Sequence, residues 1–278
     1  TTLFRSNKHL WPAVLLFSIL FFGGFAISNG AHMMLNAMGL VLVVAGTLAA
    51  AFISYTSNNL LAAYRVAVNS YRNYAPDEEE IVNTLLNLSM LSRQQGVLAL
   101  GKEEERSSVL FLSRALGMLV DGLKPEDIRN SLYIEIYFFQ QRRGQQERIF
   151  RHLARLAPAF GVAGSVVGLI GMLAGIGDTG VIIQTIPIAL TSTLYGIVLA
   201  NFVLIPIAEN IYTKTQDELL IHKLIIEGVL LIAEEYNTNH LQTKLEAFIT
   251  PSVRAERHKS YAEIREQYRK LKERSEQV

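Results

Sequence analysis

The sequence predicts an all-α membrane protein with four transmembrane helices, a helical cytoplasmic insert between the second and third, and a helical cytoplasmic tail. Two long stretches lead to this prediction: residues 10–64 contain no Asp, Glu, Lys or Arg, and residues 156–208 contain only Asp178. Because the charge is concentrated between and after these stretches, the chain does not read as one soluble core. The predicted domains are transmembrane helices one and two (1–56), the cytoplasmic helical domain (57–155), transmembrane helices three and four (156–208) and the tail (209–278).

Each weakly charged stretch is long enough for two membrane helices, since one crossing takes about 20 apolar residues. The predicted spans are Leu10–Ile27, Met33–Tyr55, Ala157–Ile176 and Val181–Ala208. A second apolar run follows the first within a few residues, so we expect a retained span and not a cleaved signal peptide. The run Leu219–Ala233 is too short to cross and contains charges, which favours a packed helix of the cytoplasmic part.

The positive charges indicate the orientation. Lys and Arg precede spans one and three and follow spans two and four, whereas the short turns between paired spans have neither. Since basic flanks stay in the cytoplasm, both termini are expected there.

Several function classes are disfavoured. The net charge of +1 argues against a nucleic-acid partner. With no cysteine, thiolate chemistry and disulfides are excluded, and the six histidines lack the spacing of a zinc site. We therefore expect no metal and no cofactor.

The polar parts are predicted to be helical. Residues 76–80 (PDEEE) and 124–127 (KPED) place proline and acidic residues where helices begin. After the second start, the sequence permits one long helix that continues into span three. In the tail beyond Pro251, apolar residues mark one face of a basic amphipathic helix: Tyr261, Ile264, Tyr268 and Leu271. That helix is either solvated or bound to the anionic lipid of the inner leaflet.

Small residues form a seam on each of the last two spans. Span three has Gly161, Gly164, Gly168, Gly171 and Gly175, and span four has Ala189, Thr193, Gly196 and Ala200. Both repeats average about 3.5 residues, the period of left-handed helix crossings. In lipid, such seams let backbones approach. The seams either pack spans three and four together or present part of their surface to a partner or pore.

Four hydroxyl residues lie on or beside the seams: Ser165, Thr191, Ser192 and Thr193. Each either bonds back to the carbonyl four residues earlier or lines an ion path. An ion-coupled machine also needs an ionisable group within the membrane. Because these spans have none at mid-depth, a partner chain would have to supply the carboxylate.

These segments resemble the MotA/PomA stator subunits of the bacterial flagellar motor, within the MotA/TolQ/ExbB superfamily. The resemblance extends from about residue 33 to Arg254. It rests on four segments together: Val44–Leu48 (VAGTL), Val120–Arg129 (VDGLKPEDIR), residues 158–161 with 164–170 (PAFG and GSVVGLI), and residues 189–196 with 199–201 and 206–208 (ALTSTLYG, LAN and PIA).

The resemblance implies a ring of five copies around a dimer of a MotB-like, single-span partner, whose membrane Asp binds the transported H⁺ or Na⁺. By position, Ser165 and Thr193 match the hydroxyls lining the ion path of sodium-driven members. Proton-driven members tend to have Ala at the first position. Ser165 is neither Thr nor Ala, so the identity of the ion stays open. Pro158 and Pro206 match the prolines flanking the channel helices, where a hinge or kink is expected.

The resemblance also implies contacts with a rotor switch-complex protein. Arg93, Glu103 and Glu104 are the candidates, although Gln94 and Gln95 stand where more charge is usual. The alternative is a solvated charged turn, and the departure leaves room for a gliding or defence machine.

Two other interpretations differ in architecture or class. An energising subunit of an ExbB/TolQ-like complex would typically have three spans. A passive scaffold or self-contained channel would require no partner.

Overall fold

The computed structural model describes Pro12, Leu16 and residues 37–72, 77–106, 109–234 and 238–248. Span one, apart from those two residues, and the basic tail beyond Pro251 lie outside the described residues. The α-helices are α1 (Ala37–Ser54), α2 (Ser57–Arg72), α3 (Glu78–Gln95), α4 (Gly101–Arg106), α5 (Leu110–Val120), α6 (Pro125–Ala174), α7 (Thr179–Val198), α8 (Ile205–Ala233) and α9 (Thr238–Leu245). A π-helical turn, Leu199–Leu204, joins α7 to α8, and two 3₁₀ turns are Val97–Leu100 and Glu246–Phe248.

The expectation of an all-helical chain is confirmed for the described residues, which contain no strand. Helix α6 is 50 residues long and continues from the second predicted helix start into span three. Three helical segments have the length and composition of membrane spans: α1, α6, and the continuous segment formed by α7, the π-helical turn and α8. The fourth span of the prediction is span one, so the count of four stays a prediction.

The chain divides into two compact units. The insert–tail unit comprises Ala75–Phe139 and Gln216–Val278, and the membrane unit comprises Thr2–Tyr74 and Gln140–Thr215. These boundaries follow contacts between residues and fall elsewhere than the predicted domain boundaries, which followed charge. Those domain boundaries remain a prediction about membrane and water.

The insert–tail unit has a core of large aliphatic side chains. Leu85, Leu116, Leu132 and Leu224, from four different helices, are fully buried there. The run Leu219–Ala233 belongs to this core, which supports its interpretation as a packed helix. Burying such a side chain stabilises the fold by about 1.5–3 kcal/mol, so this unit holds together as a water-soluble domain does.

The membrane unit is packed differently. The buried face of α1 consists of Gly39, Val43, Thr47 and Ala51, and this helix contacts α7. Large apolar residues on α1, α6 and α7 are exposed, among them Phe52, Ile53, Ile170 and Leu190. A helix whose small residues face inward and whose large apolar residues face outward is suited to lipid.

The turn between α6 and α7 is made by local chemistry. Gly177 has φ +112°, a conformation that residues with a Cβ rarely adopt. Asp178 then begins α7, since its Oδ1 accepts a hydrogen bond from the Gly180 amide at 2.8 Å. The one acidic residue of the second apolar stretch is therefore a helix cap.

Candidate functional site

The glycines of span three lie against span four. A Cβ built on Gly168 would be 2.6 Å from the Ala189 backbone nitrogen, and one built on Gly161 would be 2.9 Å from the Ser192 carbonyl oxygen. At Gly171 the nearest atom is a side-chain methyl of Thr185, at 3.3 Å. The two backbones are thus in contact at the first two positions, where any side chain would force the helices apart.

The seam is completed from the other side by Gly196. A Cβ there would lie 2.6 Å from the Ala157 carbonyl oxygen and 3.0 Å from the Pro158 Cα. Pro158 is therefore part of the seam. It lies inside the continuous helix α6, which passes it without a change of helix type.

Ser165 and Thr193 meet across this seam. Their hydroxyl oxygens are 2.5 Å apart, and both residues are half-buried. The Ser165 hydroxyl also lies within hydrogen-bond distance of the Gly161 carbonyl oxygen, at 3.2 Å, and of the Ala189 carbonyl oxygen. Two hydroxyls and two carbonyls from both helices therefore gather at one point.

Ser192 and Thr191 lie on a different side of α7. Ser192 is fully buried, and its hydroxyl oxygen would be 2.8 Å from a Cβ on Gly39 and 2.9 Å from one on Gly164. Thr191 donates to the Pro187 carbonyl at 2.6 Å, the back-bond that the alternative interpretation anticipated. Of the four predicted hydroxyls, those of Ser165 and Thr193 are therefore in contact with each other, and those of Thr191 and Ser192 face α1.

Pro206 lies two residues after the end of the π-helical turn, in the first turn of α8. A proline has no amide hydrogen, so residue 206 cannot donate the usual helical hydrogen bond to the carbonyl of Phe202, four residues earlier. The widened turn Leu199–Leu204 spans that position. The Pro206 carbonyl accepts the Tyr71 hydroxyl at 3.4 Å, and burial raises the pKa of Tyr71, which keeps that hydroxyl protonated.

Sequence reasoning missed the contribution of α1 to the seam. Gly39 faces Ser192, and a Cβ on Gly46 would lie 2.3 Å from the Phe160 ring. The two glycines are spaced seven residues apart, which is the same signal that identified the seams of the later spans.

It also missed a polar cluster near the ends of the predicted spans. Arg151 binds Glu147 at 2.6 Å and Glu209 at 3.0 Å. The hydrogen bond that Arg151 donates to Glu147, together with the charge and hydrogen bond of Glu209, raises the pKa of Arg151 despite partial burial. Beside this cluster, the Tyr55 hydroxyl and His152 Nδ1 are 3.0 Å apart.

The predicted rotor contacts lie in the insert–tail unit. Arg93 is exposed in the last turn of α3, whereas Glu103 and Glu104 are half-buried in α4. The Glu104 carboxylate lies against Gly117, where a Cβ would be 2.7 Å from its Oε1. The side chain of Arg93 is thus accessible to a partner, whereas the side chains of the two glutamates are only partly accessible.

The chain is similar to known motor proteins. The family model of the MotA/TolQ/ExbB proton channel family matches residues 103–223. "Motility protein A" of Borreliella burgdorferi is 33% identical over 190 residues, which are 68% of this chain and 73% of that protein. "Chemotaxis protein PomA" of Vibrio alginolyticus is 28% identical over 240 residues, 84% of this chain and 94% of that protein.

The fold is similar as well. A chain in the structure of the flagellar MotAB stator complex from Bacillus subtilis superposes with a TM-score of 0.82 at 25% identity, covering 90% of this chain and 99% of that one. The expected resemblance is therefore confirmed. This chain belongs to the MotA/PomA family of flagellar stator subunits, within the MotA/TolQ/ExbB proton channel family.

Proposed function

We propose that this chain forms the ring of a flagellar stator and supplies the neutral half of an ion path, whose titrating carboxylate comes from a MotB-like partner. As a family member it is an ion-channel motor component of the inner membrane and not an enzyme. The proposed assembly has five copies around a dimer of the partner, with both termini in the cytoplasm. The observation that carries the proposal is the meeting of Ser165 and Thr193 across the seam.

The chemistry of that point suits transport better than binding. A serine or threonine hydroxyl does not ionise near neutral pH, but it can donate one hydrogen and accept others. Ser165 has three oxygen neighbours and one hydrogen, so it satisfies only one of them as a donor at any moment. Such a site can exchange hydrogen bonds with passing water or contact a partly hydrated cation, without holding either tightly.

The missing charge points to the partner. Asp178 caps α7, and Glu209 pairs with Arg151, so both carboxylates have local structural roles. A cation crossing lipid past neutral oxygens alone would be poorly stabilised. A single Asp on a helix held against this seam would supply the charge for either H⁺ or Na⁺.

The test is to remove each hydroxyl in cells that make the full motor. Thr193→Val should slow rotation by about tenfold, since losing one polar partner at this half-buried point costs roughly 1.4 kcal/mol. Ser165→Ala should do the same on a sodium path but have little effect on a proton path, because the resemblance implies Ala at this position in proton-driven members. Rotation of tethered cells would be measured over a range of sodium concentrations and pH. A sodium path predicts that raising sodium partly restores speed, and a proton path predicts the same of lowering pH.

Thr185→Val is the matched control. This threonine is also on α7, and its hydroxyl bonds back to the Val181 carbonyl at 2.9 Å, away from Ser165. Its removal should leave speed unchanged. If all three variants rotate normally under every condition, the ion-path role of the pair is wrong.

We also propose that this chain contacts the rotor switch-complex protein through Arg93, Glu103 and Glu104. Arg93→Glu should leave the fold unchanged, because the side chain is exposed, and should weaken torque. A compensating charge reversal on the rotor protein should restore part of it. Arg129→Glu, another exposed arginine, is the control. Equal torque in the two variants would favour the solvated-turn interpretation.

A further inference from the structure

Two neighbouring cavities of the membrane unit are lined by arginine. The first has a volume of about 540 Å³ and is bordered by Tyr55, Asn59, Arg142, Gln146 and Arg148. The second, of about 680 Å³, is bordered by Tyr55, Arg148, Arg151 and Arg155. They share Tyr55 and Arg148, so the two form one basic groove. Both volumes are within the range of about 300–1,000 Å³ typical of small-molecule sites.

Positive side chains outnumber negative ones in and beside this groove. Arg142, Arg148 and Arg155 are exposed and form no salt bridge within the described part of the chain. Arg151 is held by Glu147 and Glu209. Four guanidinium groups therefore face two carboxylates, and three of the four remain available to an anion. Guanidinium binds phosphate in a bidentate geometry that suits this role.

The groove lies where the predicted spans meet water. Tyr55 follows the last residue of α1, and Arg155 immediately precedes the predicted start of membrane helices three and four. Tyrosine and arginine are both enriched at this depth, and basic pockets between membrane helices bind anionic head groups. A free anion would not require this placement, so the depth favours a lipid.

A second observation comes from Gln146. Its Oε1 atom is buried at the first cavity and has no hydrogen-bond partner among the described residues. A buried acceptor of this kind requires a donor. The Oε1 atom has almost no solvent-accessible surface, so a hydroxyl of a bound head group reaches it only when the Gln146 side chain turns toward the cavity that it borders.

We propose that this groove is a binding site for an anionic phospholipid with a hydroxylated head group, of the phosphatidylglycerol type. The phosphate lies between Arg142 and Arg148, and the acyl chains run along the exposed apolar face of α1. The groove shares no residue with the seam, so the proposal does not depend on which ion is transported.

The experiment measures binding of phosphatidylglycerol to the delipidated full-length chain in detergent, by native mass spectrometry. Wild type should bind phosphatidylglycerol in preference to phosphatidylcholine. Arg142→Gln/Arg148→Gln should weaken binding by about 30-fold, since each arginine near an anionic surface contributes about 1 kcal/mol. Lys124→Gln/Arg129→Gln removes two exposed charges elsewhere and should have no effect. Arg148→Lys keeps the charge but loses the bidentate geometry, so it should bind more weakly than wild type and more tightly than the double variant.

Three results would overturn the proposal. The first is equal binding by wild type and the double arginine variant. The second is displacement of the lipid by inorganic phosphate at equal concentration, which would indicate a site for the free anion. The third is a double variant that dissociates into single chains while each keeps its lipid, which would make the groove a contact between copies of this chain.

Discussion

The two units of this chain hold their helices together by opposite means. In the insert–tail unit, large side chains such as Leu85 and Leu224 fill the space between helices and are fully buried. In the membrane unit, the space between α6 and α7 is almost absent, because Gly168 and Gly196 bring backbone against backbone. Large side chains thus hold the helices together in one unit, and glycines that have no side chain do so in the other.

The solvent explains the difference. In water, burial of a large aliphatic side chain is itself favourable, so bulk stabilises a core. In lipid, an apolar side chain gains little by leaving the acyl chains, and helices associate through close packing and hydrogen bonds. Close approach also brings the Ser165 and Thr193 hydroxyls together. The glycine seam therefore both packs the two helices and forms the candidate site.

The largest effect is expected at Gly168. In Gly168→Ala the new Cβ would meet the Ala189 nitrogen and Cα, and backbone of a helix cannot move away without separating α6 from α7. We expect a loss of about 3 kcal/mol or more, the upper end of overpacking costs. The midpoint of thermal unfolding of the purified full-length protein would measure it.

Gly144→Ala is the matched control, on the same helix. Nothing lies within 4 Å of a Cβ at Gly144. Alanine should stabilise the helix there by about 1 kcal/mol, through its higher helix propensity. If the two variants unfold at the same temperature, close backbone packing does not hold the seam.

Much of this contrast could be predicted from local sequence. The start of α6 at Pro125 follows from rules for a helix terminus that act within a few residues. The seam of span three was predictable because glycine at intervals of three and four leaves one face without side chains. The buried run Leu219–Ala233 was predictable from its length and charges.

Other features depend on tertiary position and could not be predicted. Among the consecutive hydroxyls Thr191, Ser192 and Thr193, the seam spacing predicted Thr193 on the face shared with span three, but nothing in the sequence shows that Ser192 is buried against α1. Only the placement of α1, through Gly39, directs Ser192 away from that point. The pairing of Arg151 with Glu209 likewise joins residues that are distant in sequence.

A smaller effect is expected at Gly228, in the core of the insert–tail unit. A Cβ there would lie 2.5 Å from the Cδ1 of Leu85, 2.9 Å from its Cδ2 and 3.0 Å from its Cγ. The obstacle is one flexible side chain, which can change rotamer at a cost of about 1–3 kcal/mol. Alanine recovers about 1 kcal/mol through helix propensity, so Gly228→Ala should lose roughly 0–2 kcal/mol.

Double variants test the comparison further. The new methyl group meets a side chain, Leu85, in Gly228→Ala, but it meets backbone atoms of Ala189 in Gly168→Ala. Leu85→Ala alone should cost about 2–5 kcal/mol, but in a Gly228→Ala background it should cost less, since the added methyl fills part of the space. In the seam, Ala189→Gly should not rescue Gly168→Ala, because the backbone nitrogen and Cα of residue 189 remain in place. Thermal unfolding of the four single variants and two double variants would measure both couplings. Additive losses at Leu85 and Gly228, or rescue by Ala189→Gly, would show that the units do not differ in the way their packing implies.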